Sequence, residues 1–267
     1  MGKDDEDSDA HGTGPEVGPE PVSAGSRIWG WTRELVIVVV LGLVVSTLLR
    51  TFVFQMFEIP SSSMEDTLMI GDRVAVQKVT DFQRGDIVVF IDPGGWLPAQ
   101  APKEQPPLEL ALEFVGILPN SSDQYLIKRV IGTEGDVVIC CDTEGHVLVN
   151  GHPLQEAGYL YREGGEPVPP SDIAFEVTVP QDRIFVMGDH RNSSADSRCH
   201  LSDLNASGVR GDAAFVPEDE VVGIAVAVTY PFSRFHLLHR PDTFADVPPP
   251  KAPAPQEPKI SPEGVVC

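Results

Sequence analysis

Residues 35–49 read LVIVVVLGLVVSTLL, an unbroken run of apolar and small side chains. Val38, Val39, Val40 and Leu41 leave no polar face, so the run does not fit a helix half-buried on a soluble core. These residues alone are short for a hydrocarbon core of about 30 Å. Their flanks extend the apolar stretch, with Ile28, Trp29 and Trp31 before it and Phe52, Val53 and Phe54 after it. Tryptophan suits the membrane–water interface, and Arg50 can snorkel from near the end. The expectation is one transmembrane helix over 29–54. A cleaved signal peptide fits less well, because an acidic segment precedes the run and no Ala-x-Ala site follows it. Arg27 and Arg33 outnumber Arg50 at the flanks, which predicts a cytoplasmic N-terminus and everything after the span outside.

That anchor divides the chain. Residues 1–28 are rich in Asp, Glu, Gly and Pro, and 241–267 contain Pro248-Pro249-Pro250 and a Lys-Ala-Pro-Ala-Pro run. Both segments have little to bury and read as disordered, an acidic tail and a Pro-rich tail. The span 55–240 remains, long enough for one sizeable core. A formal net charge of −21 argues against a nucleic-acid partner, since no basic stripe is present to release counterions.

Within 55–240 the pattern is β. Residues 73–79 alternate, and 85–91 read as a buried strand behind a turn. Further strands are predicted over 126–131, 136–141, 147–150, 174–179, 184–187 and 221–229. Prolines and glycines through 92–124 mark an irregular insertion, with a short helix around Leu108–Phe114. The fold class expected is mainly β, a sheet-rich domain resembling a sandwich or barrel behind one N-terminal helix.

Three segments carry chemistry. The first is Pro60-Ser61-Ser62-Ser63-Met64, just past the anchor; the second is Lys128-Arg129-Val130-Ile131-Gly132; the third runs from Gly188-Asp189-His190-Arg191 to Ser194, Asp196 and Arg198. A serine hydroxyl is a poor nucleophile until a base takes its proton. His190 with Asp196 could supply a triad. Lys128, set among Leu126, Ile127, Val130 and Ile131, could serve instead, because burial disfavours a charged amine.

The order of these segments behind one membrane anchor resembles the type I signal peptidases, membrane-bound Ser–Lys proteases. Gly85-Asp86-Ile87-Val88-Val89-Phe90 matches a further strand of that family. The resemblance implies Ser63 as nucleophile and Lys128 as general base. It implies an oxyanion hole from the Ser61 hydroxyl and the Ser63 backbone N–H, and a hydrogen bond from Ser194 that orients the lysine. Asp196 and Arg198 would brace the loop, and His190 would lose its catalytic claim. Phe57, Ile59, Met64, Leu68 and Ile127 match positions that line small substrate pockets. The partners implied are signal peptides of exported preproteins, the lipid bilayer and a neighbouring translocation machinery; neither a metal nor a cofactor is implied. The implied place is the plasma membrane, with a single span.

Three positions depart from the family pattern. Asp66 stands where proline is usual after the nucleophile, Glu134 replaces a turn proline, and Leu126 replaces a frequent tyrosine. Two other readings are a Ser–Lys autoprotease related to the SOS-repressor cleavage domains and a non-catalytic anchored β-domain. The cysteines are Cys140, Cys141, Cys199 and Cys267. A bridge from Cys140 or Cys141 to Cys199 and free buried thiols both remain open at this stage.

Overall fold

The computed structural model describes residues 24–98, 106, 124–205 and 208–262, with side chains over 24–30 and 49–52 left undescribed. The acidic tail up to residue 23 and the predicted helix at Leu108–Phe114 lie outside these residues. Helix α1 covers Ala24–Phe52, and its window Trp31–Leu48 has a mean hydropathy of 1.9, long and apolar enough to cross a membrane. It starts earlier than the expected span and stops sooner. Phe54–Glu58, whose first residue the sequence assigns to the span, is a strand instead. Its residues alternate exposed and half-buried, as an edge strand requires.

Strands follow in chain order: β1 (Phe54–Glu58), β2 (Arg73–Gln77), β3 (Ile87–Ile91), β4 (Tyr125–Gly132), β5 (Val137–Cys140), β6 (Val147–Val149), β7 (His152–Pro153), β8 (Arg162–Glu163), β9 (Glu166–Pro167), β10 (Phe175–Thr178), β11 (Arg183–Met187), β12 (Val216–Pro217), β13 (Val221–Tyr230), β14 (His236–Leu237) and β15 (Lys259–Ser261). One sheet has the order β1-β2-β13-β3-β4-β11-β12, with β14 on β13; a second has the order β15-β10-β5-β6-β7; β8 and β9 form a small hairpin. The domain is mainly β, and its other described helical pieces are short 3-10 turns.

The cores explain the pairing. Ile87–Phe90 are buried on both faces of β3, which therefore sits centrally between β13 and β4. One face of the large sheet holds Ile59, Met64, Leu68, Val74, Val76, Ile87, Val89 and Ile127. The second sheet contributes Val138, Val147, Val149, Phe175 and Val177 to another cluster, completed by Phe185, Met187 and Phe215.

The insertion is rooted firmly at both ends. Asp92 N donates to the Gln124 carbonyl at 2.8 Å, and Gln124 Nε2 donates to the Pro98 carbonyl at 3.0 Å. Asp92 also accepts from the backbone of Gly94, Trp96 and Leu97.

Two expectations are corrected. The sequence reads 241–267 as a disordered tail, yet 241–262 packs on the domain. Phe244 and Val247 are buried in the second core, and β15 pairs with β10. A proline-rich chain needs few ladder bonds of its own when two apolar side chains and one short strand fix it to a finished surface. The cysteine pairing also differs. Cys140 is bonded to Cys141, so neither bridges to Cys199, which is itself disulfide-bonded.

Candidate active site

The nucleophile candidate stands on a turn pinned by apolar side chains. Beyond β1, Ile59 N donates to the Asp72 carbonyl and Gly71 N to the Ile59 carbonyl, both at 2.9 Å, closing residues 60–70 into a loop. Met64 and Leu68 have no accessible surface and hold the loop to the core, while Leu68 N donates to the Met64 carbonyl at 2.7 Å. Asp72 is buried; it accepts from Met69 N and from Arg234 Nε, at 2.8 and 3.0 Å. Asp66 adopts φ +79, a left-handed conformation that a proline ring, locked near −65°, does not reach. The substitution at this position thus comes with a turn of different shape.

Lys128 lies in β4 opposite Val88 of β3. On the other side β11 ends at Met187, paired with Arg129, so the chain leaves the sheet beside the lysine. This places the loop 188–198 against both Ser63 and Lys128. Lys128 Nζ donates to Ser63 Oγ at 2.6 Å and to the Ile127 carbonyl at 3.1 Å. The lysine is 3 % exposed and the serine 7 %. Burial lowers the amine to a pKa of about 8, against the opposing pull of the Asp196 and Asp189 carboxylates and with a smaller contribution from Arg198. A neutral amine within hydrogen-bond reach of a serine hydroxyl can accept its proton.

Ser61 Oγ lies 3.4 Å from Ser63 Oγ. Ser194 is buried close by, and among the described residues its hydroxyl does not bond Lys128, so the expected contact is not formed. The lysine is held by Ser63 and by the Ile127 carbonyl instead. Asp196 and Arg198 make two bonds of 2.8 Å, and Asp196 also accepts from Gly188 N at 2.9 Å. Burial would raise the Asp196 carboxyl, but Arg198 holds it below the ordinary value. Arg198 reaches on to the Arg191 carbonyl at 2.8 Å.

His190 is engaged elsewhere. Its Nδ1 lies 3.1 Å from the Ser62 carbonyl and 3.3 Å from Glu65, and its ring stacks on Tyr161 at 3.8 Å. Its backbone N–H, not its ring, meets Ser63, donating to the carbonyl at 3.1 Å. Asp196 is directed to Arg198, so a Ser63–His190–Asp196 triad is not assembled.

Of the pocket candidates, Ile59, Met64, Leu68 and Ile127 share one buried cluster, and Phe57 meets Tyr125 edge-on at 5.1 Å. Met64 and Leu68 present no surface to a ligand here; they anchor the turn.

Sequence reasoning missed the ion network behind the pair. Arg129 is 2 % exposed and grips Asp189 through Nε and Nη2 at 2.8 and 2.6 Å. Thr67 Oγ1 donates to the same carboxylate at 2.6 Å, joining the nucleophile turn to β4. Arg191 pairs with Glu156, which also accepts from the Tyr159 hydroxyl at 2.6 Å. The available signal was the placement of these charges inside the two motifs, since Arg129 follows Lys128 and Asp189 precedes His190.

Gly188 is where the parts meet. A Cβ built there would overlap both Ser194 Oγ and the Ser63 carbonyl. Only a residue without a side chain lets the loop approach the turn this closely.

Similarity to known proteins agrees with this geometry. The family described as "Signal peptidase, peptidase S26" matches residues 28–230. "Probable signal peptidase I" of Mycobacterium leprae is 35 % identical over 248 residues, covering 82 % of each chain. "Signal peptidase I" of Mycobacterium tuberculosis H37Rv is 34 % identical over 225 residues, 77 % of this chain and 75 % of that one. "Signal peptidase I" of Leptolyngbya laminosa is 33 % identical over 208 residues, 76 % and 82 % of the two chains. With its anchor-like helix, its β domain and its buried Ser–Lys contact, the chain belongs to the signal peptidase family, peptidase S26, and is a serine peptidase of that family.

Proposed function

We propose that this protein cleaves signal peptides from exported preproteins, with Ser63 as nucleophile and Lys128 as general base. The observation that carries the reading is the 2.6 Å contact from Lys128 Nζ to Ser63 Oγ, made by an amine whose burial brings it to about 8. In this mechanism the neutral amine removes the Ser63 proton as Oγ attacks the scissile carbonyl. The resulting ammonium then returns a proton to the leaving amine. The Ser63 N–H and the Ser61 hydroxyl are the proposed donors to the developing oxyanion. Asp196 and Arg198 brace the loop; Phe57, Ile59 and Ile127 are the proposed pocket lining.

The helix is proposed to cross the plasma membrane once with its N-terminus cytoplasmic, on the balance of Arg27 and Arg33 against Arg50. The exposed side chains Tyr230, Phe232, Phe235 and Leu237 support contact of the domain with lipid. The translocation machinery remains a proposed neighbour.

The test is cleavage of a peptide carrying Ala-x-Ala by the full-length protein in detergent. Ser63→Ala and Lys128→Arg should each lower kcat by roughly 10³-fold or more, the arginine failing because guanidinium stays protonated. His190→Ala should remain within about tenfold of the parent. Parental rates in Lys128→Arg with a dead His190→Ala would return the triad.

A further inference from the structure

The family match ends at residue 230, and the ordered chain does not. Residues 241–262 cross from one sheet to the other. Gln155 N donates to Thr243 Oγ1 at 2.7 Å, Asn150 Nδ2 to the Pro248 carbonyl at 2.8 Å, and Gln181 N to the Pro255 carbonyl at 2.9 Å. Strand β15 then closes on β10. Phe244 is the side chain of this strap that reaches the site's supports. It is 5 % exposed, its ring centroid lies 6.3 Å from that of Tyr159, and its ring covers Gly85 so closely that a Cβ there would come within 2.6 Å. The Gly85 carbonyl accepts from Arg129 Nη1 at 2.7 Å.

Tyr159 is the point where the strap meets the catalytic pair. The Arg129 guanidinium sits 4.4 Å from the centre of its ring. From Arg129 the contacts run to Asp189 and then to Thr67, four residues beyond Ser63. From the Tyr159 hydroxyl they run to Glu156 and then to Arg191, whose Nε donates to the Gly188 carbonyl at 3.0 Å. Gly188 is the residue pressed against the Ser63 carbonyl. Two buried routes thus lead from one ring to the two sides of the nucleophile turn.

We propose that Phe244 is a positioning residue for the Ser63–Lys128 pair, acting through Tyr159, so that this one side chain of the strap, and not the strap as a whole, supports the catalytic pair. This rests on the peptidase reading above. Displacing a reacting group by about 1 Å can cost about 10²-fold in rate, so a cavity that lets Tyr159 tilt is felt at Ser63.

The experiment compares Phe244→Ala, Phe244→Leu and Val247→Ala in the full-length protein. Val247 lies in the same strap and the same core cluster but outside the two routes. Cleavage is measured at a temperature where circular dichroism shows each variant folded. Phe244→Ala should lower kcat by roughly 10–100-fold and Phe244→Leu by about 3–10-fold, both with KM within about twofold. Val247→Ala should keep kcat within about twofold even where its melting midpoint falls as far. Equal kcat in the Phe244 and Val247 variants would reduce the strap to a stabilising element and overturn the proposal. If Phe244→Ala does not fold, Phe244→Leu decides, and a parental kcat there overturns it. Ser63→Ala is run alongside. Cleavage that survives Ser63→Ala sinks the peptidase reading, whereas Ser63-dependent cleavage indifferent to Phe244 sinks only this one.

Discussion

Lys128 and Arg129 are neighbours in one strand, both almost fully buried, and their charges meet opposite fates. Burial lowers Lys128 to about 8, and among the described residues no carboxylate is within bonding distance of its amine. Burial would lower Arg129 as well, but Asp189, by its charge and its hydrogen bonds, holds the guanidinium above its ordinary value. One face of β4 therefore keeps a base ready to be neutral, and the other keeps a cation fixed. The alternation of a β-strand separates the two tasks by a single residue. Desolvation alone does not decide a buried charge; the partner within bonding distance does.

The comparison can be broken most forcefully at Arg129. Arg129→Met leaves Asp189 buried without its cation and should cost about 3–5 kcal/mol, read as a fall in the urea midpoint. A shift within error would mean that the network is not the frame of the site. Next comes Gly188, where the two faces are joined. Gly188→Ala must push apart Ser194 and the Ser63 carbonyl, and kcat should fall by about 10²-fold with a smaller change in stability. Unchanged kcat would show that the close approach is incidental.

Lys128→Met should do the reverse of Arg129→Met for stability. The folded pKa of Lys128, about 8, lies below the unfolded value near 10.5, so the unfolded chain binds more protons between these pH values. Stability then rises with pH across that window, and the full penalty applies below about 8. Replacing the amine by a thioether should abolish activity and raise stability at pH 7 by about 2 kcal/mol, after allowance for its lost hydrogen bonds, with no gain above pH 10.5. A destabilised Lys128→Met at pH 7 would contradict the buried-amine account. If Lys128 is the base as proposed, kcat/KM should show an acid limb with its midpoint near pH 8, rising towards alkaline pH. An acid limb that vanishes in His190→Ala would point to imidazole instead.

The smallest effect is expected at Asp66. Asp66→Gly relieves a left-handed backbone and should stabilise by no more than about 1 kcal/mol. Asp66→Pro, although it restores the residue usual in the family, should destabilise, because its ring excludes φ +79.

Much of the sheet could be read from sequence because its strands carry a two-residue period or an uninterrupted apolar run. Ile87–Ile91 and Val221–Tyr230 lie within a residue or two of the predicted limits. Strand β1 was hidden because Phe54 continues the apolar run of the anchor, and nothing local marks the change from helix to strand. The strap was hidden for a different reason. Its composition describes how a free chain behaves, and what orders it is the burial of Phe244 and Val247 in a surface assembled from distant residues. At the site, Ser63 and Lys128 could be picked out because each sits in a short motif. The grip of Arg129 on Asp189 spans 60 residues of sequence, and spacing alone does not reveal which buried charge a given arginine will find. The same limit holds at Ser194: a motif fixes which residues are near, not how a hydroxyl is turned.

The root of the insertion has a consequence for how this part of the chain can change in length. Residues 92 and 124 are already held together by the backbone bond from Asp92 to Gln124, and Pro98 is tied in by the Gln124 side chain. Strands β3 and β4 are zipped along five residue pairs beneath that point. The ends of the intervening segment are therefore brought together by the sheet, whatever lies between them. Doubling the length of such a segment adds only about 0.6 kcal/mol of closure entropy. The stretch can lengthen, shorten or acquire a new sequence at little thermodynamic expense, while Lys128 stays in register with Val88.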